Sequence, residues 1–182
     1  YVWFIDADDS ITSDSVSEIQ KGVNISEYDI IAVNITKIYE RSGVEEREYT
    51  SIDQKSIGKV LTGLEYLKRK LHIGAIPRFI YKKDFIINKN LFFYPRIYHE
   101  DIEFSCRALY DAERIYITSL FLYRYLIRDG GSITTSFSIK RSFDYMTVAH
   151  LIEEYRKKQI ESKRKGYNVL SSYITYCMLS SI

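Results

Sequence analysis

Cysteine is scarce. The 182-residue chain carries two, Cys106 and Cys177, too few for a disulfide framework, so a reduced, cytosolic setting is the default expectation. Proline (two) and glycine (eight) are sparse as well, which excludes collagen-like and low-complexity linker proteins. An excess of one charge is missing: 26 basic against 24 acidic side chains leave a net charge of +2. Without a global positive field no nucleic-acid partner is expected. No apolar run approaches the ~20 residues of a membrane span, and the charged, irregular start lacks the layout of a signal peptide. His72, His99 and His150 lie far apart with no cysteine at ligand spacing, so a structural zinc is not expected. G-x-S-x-G, P-loop and G-x-G-x-x-G patterns are absent, which disfavours hydrolase, P-loop kinase and dinucleotide-binding readings. What remains is a chain with 46% hydrophobic and 15% aromatic residues, long enough to bury one ordinary core.

The chain opens in what reads as the middle of a strand. Val2-Trp3-Phe4-Ile5 is apolar throughout, and a strand apolar on both faces predicts a central place in a mostly parallel sheet covered by helices. Ser15 and Glu18 have capping-box spacing, with Asp14 as a rival N-cap, so a short helix is expected next. Residues 29–39 read as a strand, Arg41-Ser42-Gly43 as a turn and 47–50 as a return strand. Ile57, Val60, Leu61, Leu64, Leu67 and Leu71 recur at three and four residues and predict an amphipathic helix over 56–71, broken at Gly74-Ala75-Ile76-Pro77. The same periodicity returns over 100–112, with Ile102, Cys106 and Leu109 on one face. Residues 114–117 and 120–127 read as two strands, and beyond Ser138 the chain reads as helical to its end.

Chemistry concentrates in two acidic clusters. Residues 1–20 hold five carboxylates and no basic side chain, and Asp6, Asp8 and Asp9 follow the apolar strand directly. Crowded carboxylates resist ionisation unless a cation or donor compensates, and an ion of the Mg²⁺ type takes one or two carboxylates together with substrate phosphates. A D-x-D at the C-terminal end of a strand, where open α/β sheets bind ligands, therefore points to a metal–diphosphate site. The alternative is a solvated loop with Asp8 or Asp9 as turn former.

The second cluster, His99-Glu100-Asp101-Ile102-Glu103, opens the clearest helix of the chain. Carboxylates in a first turn gain from the exposed N–H groups and the helix dipole, which suffices for Glu103 and is the bland account of all three. A carboxylate kept ionised there can also take a proton from a hydroxyl, which gives Asp101 a general-base role. A metal on the leaving phosphates and a base on the incoming hydroxyl are what transfer from a diphosphate requires. One-step displacement would invert the anomeric carbon. His99 reads first as a helix cap, with contact to a sugar or metal as the alternative.

In order along the chain, Tyr1-Val-Trp-Phe-Ile-Asp-Ala-Asp-Asp9, Glu100-Asp-Ile-Glu-Phe104, Leu122-Tyr-Arg-Tyr125 and Gly131-Ser-Ile-Thr134 resemble the successive signatures of family 2 glycosyltransferases with the GT-A fold. Ile80-Tyr-Lys-Lys-Asp-Phe85 and Asn90-Leu-Phe-Phe93 resemble the segment these enzymes carry before the Glu-Asp pair. The resemblance covers residues 1–136 as a partial GT-A domain and leaves 137–182 as a C-terminal helical extension. It implies an α/β fold, with a Rossmann-like mixed sheet flanked by helices. It also implies an inverting transferase that moves a sugar from a UDP- or GDP-type nucleotide-sugar donor to a saccharide or lipid-linked hydroxyl acceptor, in polysaccharide or glycoconjugate synthesis. The expected cofactor is a divalent cation, Mn²⁺ or Mg²⁺. Carried over by position, Asp6 and Asp8 match the D-x-D aspartates that bind metal. Asp8 is the principal ligand; Asp6, like Asp9, is also a candidate contact to the nucleotide ribose or the sugar. Asp101 matches the catalytic base and Glu100 its acceptor-side neighbour. Arg128 and Ser132 fall in the region that closes over the diphosphate, although an exposed strand-end cation is an equally ordinary reading of Arg128.

Members of this family begin with alternating strands and helices ahead of the D-x-D strand. Here that strand comes first, so the chain is expected to be a fragment of a longer transferase, inactive alone. The alternative is a non-catalytic binding or assembly module that pairs, for instance with its own copy, through an exposed edge at Val2–Ile5. A metal-dependent phosphotransferase fits the first acidic cluster but explains neither Glu100-Asp101 nor the later motifs. Residues 156–165 read as a solvated helix face, with anionic lipid at the inner face of the membrane as the alternative partner. The expected location is the cytoplasm. Tyr123 and Tyr125 alternate with apolar neighbours and read as a core edge, and Cys106 as core.

Overall fold

Ile30-Ile31-Ala32-Val33 is apolar at four consecutive positions, and a strand of that kind is stable only where both faces are covered. In the computed structural model, which describes residues 1–22, 27–49, 54–69, 75–129 and 138–181, all four are at most 1% exposed. The elements run β1 (Val2–Trp3), β2 (Ser10–Ile11), α1 (Ser15–Gly22), β3 (Ile30–Tyr39), β4 (Glu45–Glu48), β5 (Val60–Leu61), α2 (Gly63–Arg69), β6 (Phe79–Tyr81), α3 (Lys83–Asn88), α4 (Glu100–Asp111), β7 (Ile115–Ile127), α5 (Ile139–Glu161) and α6 (Val169–Ser180). They fall into two units. The first comprises Tyr1–Thr62, Ile76–Phe85 and Ala112–Ser136; the second comprises Gly63–Ala75, Ile86–Asp111 and Phe137–Ile182.

The first unit is a mixed seven-stranded sheet of order β1-β6-β3-β7-β2, with β4 added on β3 and β5 on β7. β3 and β7 run parallel, and the remaining pairs are antiparallel. On one face Ile31, Val33, Ile80 and Leu122 form a cluster under Trp3 and Ile19 of α1. α1 starts one residue after Asp14, whose carbonyl accepts from the Glu18 N–H at 2.9 Å, so the rival N-cap position is the one used. The hairpin from β3 to β4 closes as expected. Gly43, at φ +65°, donates its N–H to the Tyr39 carbonyl at 2.8 Å.

Three expectations are corrected in this unit. Among the described residues the Val2–Ile5 run is not a central strand: β1 stands at the end of the strand order, paired antiparallel to β6, and Ile5 is 43% exposed. Phe4 lies beside Tyr81 of β6, the ring centroids 6.0 Å apart. Trp3 packs on the β3–β6–β7 cluster, and its Nε1–H reaches the Pro77 carbonyl at 2.7 Å; the central place belongs to β3. The helix expected over 56–71 begins only at Gly63. Gly58, at φ +80°, turns the chain onto β7, where its N–H donates to the Ile117 carbonyl at 2.7 Å. Val60 and Leu61 therefore pair as a strand, and Leu71 lies outside the described residues. Finally, the two strands expected over 114–127 are one. Between Ala32 and Ile35 the β3–β7 register slips, and Thr118, buried at the slip, donates its hydroxyl to the Ala32 carbonyl at 2.9 Å. Asn34 Nδ2 donates to the Thr118 carbonyl at 3.3 Å. The polar pair that reads as a break is a bulge, which satisfies its own backbone groups and curls the sheet.

The second unit is helical. α2, α4, α5 and α6 bury Tyr66, Leu67, Phe104, Leu109, Val148, Ile152, Leu170 and Tyr173 at 1% exposure or less. Cys106 and Cys177 are fully buried in it as free thiols, and burial pushes both pKa values up. The Tyr173 hydroxyl donates to the Leu67 carbonyl at 3.2 Å, tying α6 to α2. α5 is anchored through buried Asp144, which accepts from the Tyr98 N–H at 2.8 Å and from Lys140. Among the described residues no helix is long and apolar enough to cross a membrane.

Candidate active site

In the first unit the chain leaves β1 and doubles back at Asp6-Ala7-Asp8-Asp9, where the Asp9 N–H closes the turn on the Asp6 carbonyl at 3.1 Å. Ser10 and Ile11 then pair with Arg124 and Tyr123 of β7. Where the chain peels away, the Asp9 side chain continues the ladder in place of a backbone carbonyl. Its Oδ1 accepts from the Leu126 N–H at 2.8 Å, and its Oδ2 accepts from the Tyr123 hydroxyl. That hydroxyl in turn receives the Asp6 N–H at 3.4 Å.

Asp6 and Asp8 are exposed at this turn. Asp8 Oδ2 lies 3.4 Å from the Arg128 guanidinium, with both side chains about half exposed. A solvated pair of this kind is worth at most about 1 kcal/mol, so it yields readily to a stronger charged ligand. The negative field of the turn is felt nearby: burial raises the Tyr125 pKa, and Asp9, Asp8 and Asp6 raise it further. Burial, and then the bond to Asp9, raise that of Tyr123. Among the described residues no three His, Cys, Asp or Glu side chains gather as a metal cage. Two exposed carboxylates on one turn do fit an Mg²⁺-type ion that completes its shell with phosphates and water. Ser132, expected to join Arg128, lies outside the described residues.

In the second unit Asp101 occupies the first turn of α4. Its Oδ1 accepts from the Ile102 N–H at 2.9 Å and its Oδ2 from the Ala75 N–H at 3.3 Å. Two residues beside Asp101 are strained. Ala75 sits at φ +77° and His99, just before the helix, at φ +65°, conformations that cost about 1–3 kcal/mol for side chains other than glycine and recur at functional sites. His99 caps α4 through its carbonyl, which accepts from the Ile102 N–H at 3.1 Å, while its ring stacks on Tyr145 at 3.7 Å. Burial lowers the His99 pKa, opposed by the charge of Asp101. Glu100 is half-buried beside Asp101. Glu103 is buried in a bidentate pair with Arg107 at 2.6 and 2.7 Å, the structural role its place in the first turn suggested.

Sequence reasoning missed the clamp on Asp9. Leu122-Tyr-Arg-Tyr125 stands out as a motif, but the alternation of Tyr123 with apolar neighbours points to packing, and nothing local pairs Tyr123 with Asp9 across 114 residues.

No family model matches the chain. It is 24% identical over 133 residues to the protein named uncharacterized glycosyltransferase YibD of Escherichia coli (strain K12), an alignment that covers 71% of this chain and 38% of the relative. It is 26% identical over 175 residues to uncharacterized glycosyltransferase EpsJ of Bacillus subtilis (strain 168), covering 92% of this chain and 46% of EpsJ. The chain thus spans less than half the length of either relative. Among solved structures, S. aureus TarS 1-349 in complex with UDP-GlcNAc matches with a TM-score of 0.59 at 17% identity, over 83% of this chain and 42% of TarS. TarS 1-349 in a second crystal structure matches with a TM-score of 0.56 at 16% identity, over 95% and 45%. The α/β fold is therefore of the GT-A type expected from the sequence, and the sequence relatives that match it carry the name glycosyltransferase.

Proposed function

We propose that this chain carries the metal-binding and base residues of an inverting, family 2-like glycosyltransferase, which moves a sugar from a UDP- or GDP-type donor to a hydroxyl of a saccharide or lipid-linked acceptor. The observation that carries the reading is the Asp6–Asp9 turn, clamped through Asp9 so that Asp6 and Asp8 stand exposed, with Asp8 3.4 Å from Arg128. In this reading Asp8, with Asp6, holds Mn²⁺ or Mg²⁺, which when bound offsets the charge developing on the leaving diphosphate. Arg128 and Ser132 serve the diphosphate, for which a planar guanidinium is the better matched of the two cationic side chains. Asp9 serves the donor side by holding the turn. Asp101, held by the N–H groups of Ile102 and Ala75, accepts the proton of the acceptor hydroxyl, and Glu100 orients that acceptor. Attack from the face opposite the diphosphate inverts the anomeric carbon. The names of the sequence relatives and the UDP-GlcNAc held by TarS support a nucleotide-sugar donor.

The test is calorimetric titration of nucleotide sugars into the natural protein bearing this chain, with and without Mn²⁺. Asp8→Asn is expected to weaken Mn²⁺-dependent donor binding by about 10-fold or more, the loss of one charge-assisted ligand. Donor binding with the same metal dependence in that variant would remove Asp8 from the site.

A further inference from the structure

The Tyr123 ring is 1% exposed and lies 6.3 Å from the ring of Trp3, and for that packing a phenylalanine would serve equally. The hydroxyl does something more. It receives the Asp6 N–H at 3.4 Å and donates to Asp9 Oδ2, so one atom touches both ends of the four-residue turn. Leu126, three residues further along β7, holds the other oxygen of Asp9 at 2.8 Å. The turn is short and glycine-free, exposed at Asp6 to Asp8, and the Asp9 N–H closes it on the Asp6 carbonyl. β7 restrains it further, through Tyr123 and Leu126, and is itself held on the other side by β3 over nine register pairs.

We propose that Tyr123 is a positioning residue for the candidate cation site: by bridging Asp6 and Asp9 it sets the spacing at which the Asp6 and Asp8 carboxylates are presented together. This rests on the reading of the acidic turn as a metal–diphosphate site. A ligand pair already held in place loses less freedom on binding than a mobile one, and partners that orient metal ligands are commonly worth about 10- to 100-fold in metal affinity.

The experiment is Mn²⁺ binding by the full natural protein, followed through the relaxation of water protons and needing no substrate or turnover. Tyr123→Phe keeps the ring and is expected to weaken Mn²⁺ binding by about 10- to 100-fold with the thermal midpoint little changed. Asp9→Asn, which leaves Tyr123 in the core, should move the affinity in the same direction. In both variants excess Mn²⁺ is expected to restore nucleotide-sugar binding, a rescue that general loosening of the fold would not permit. Wild-type Mn²⁺ affinity in Tyr123→Phe would overturn the positioning role and leave the site reading intact. Absence of Mn²⁺ binding in the unaltered protein would overturn both.

Discussion

Asp8 and Asp101 are the same side chain presented in two different ways. Asp101 is served first by its own neighbourhood: the helix it begins supplies the Ile102 N–H. Asp8 stands on a turn with no helix behind it, and its geometry is imposed through Asp9 by Tyr123 and Leu126, more than a hundred residues away. The first arrangement is half local: α4 supplies one donor, and Ala75, 26 residues earlier, supplies the other. The second exists only if β2 and β7 pair in the right register, since a slip of one residue would turn Tyr123 to the other face of the sheet. In the proposed reading, the carboxylate that accepts a proton is built into a helix start, whereas the one that shares a cation sits on a turn held by a long-range clamp.

The largest effect that would sharpen this contrast is at Asp101. Asn in its place keeps the hydrogen-bonding shape of the helix start but cannot take a proton. Sugar transfer by the natural protein should fall by about 10²- to 10⁴-fold, the span attributed to general-base catalysis, while Mn²⁺-dependent donor binding persists. A steady-state assay beside a donor titration checks this, and normal turnover would return Asp101 to the bland role of a first-turn carboxylate.

A smaller effect separates the units by stability. Gly166 sits at φ +83°, and an added Cβ would lie 2.5 Å from the methyl groups of Leu64, which would have to shift. Gly166→Ala combines left-handed backbone strain with overpacking and should destabilise the helical unit by about 2–4 kcal/mol. Chemical denaturation with amide exchange resolved by residue would locate the loss in α2 and α6. An equal loss in β3 and β7 would show that the two units unfold as one.

The smallest expected effect is acid sensitivity. Burial pushes the Asp144 pKa up, but Lys140, the Tyr98 N–H and the nearby charges hold it below the usual carboxylate range. In the sheet unit Lys37 and Arg78 do the same for Glu48 against its own burial. A carboxyl whose pKa is lower folded than unfolded binds fewer protons when folded, so its contribution is complete above the ordinary carboxylate pKa and is lost as pH falls through the folded value. Both units should therefore lose stability in that acid window. Asp144→Asn should flatten the pH dependence of the helical unit alone, as read by thermal midpoints between neutral pH and pH 3. An unchanged slope would discount the Asp144 anchor.

Much of this was readable from local pattern. β3, the hairpin at Gly43, the apolar face of α4 and the two acidic clusters each depend on residues within a few positions of one another. The failures share a cause. Val60 and Leu61 have helical spacing with Leu64 and Leu67, yet a glycine in the left-handed region and an open edge on β7 made them a strand. Thr118 and Ser119 read as a break because the hydrogen bonds of Thr118 run to β3, which no local window contains.

The sequence by itself determined where carboxylates cluster, which segments are apolar enough to be covered and where helices begin, because those properties are set by neighbouring side chains and by the periods of helix and strand. Only the tertiary structure decided that Val2–Trp3 lies at the end of the strand order, that β7 is one bulged strand, and that a core-edge tyrosine grips the acidic turn. Each of those depends on which distant strand lies alongside, and hydrogen bonds between strands carry no mark in the residues that make them until the pairing exists.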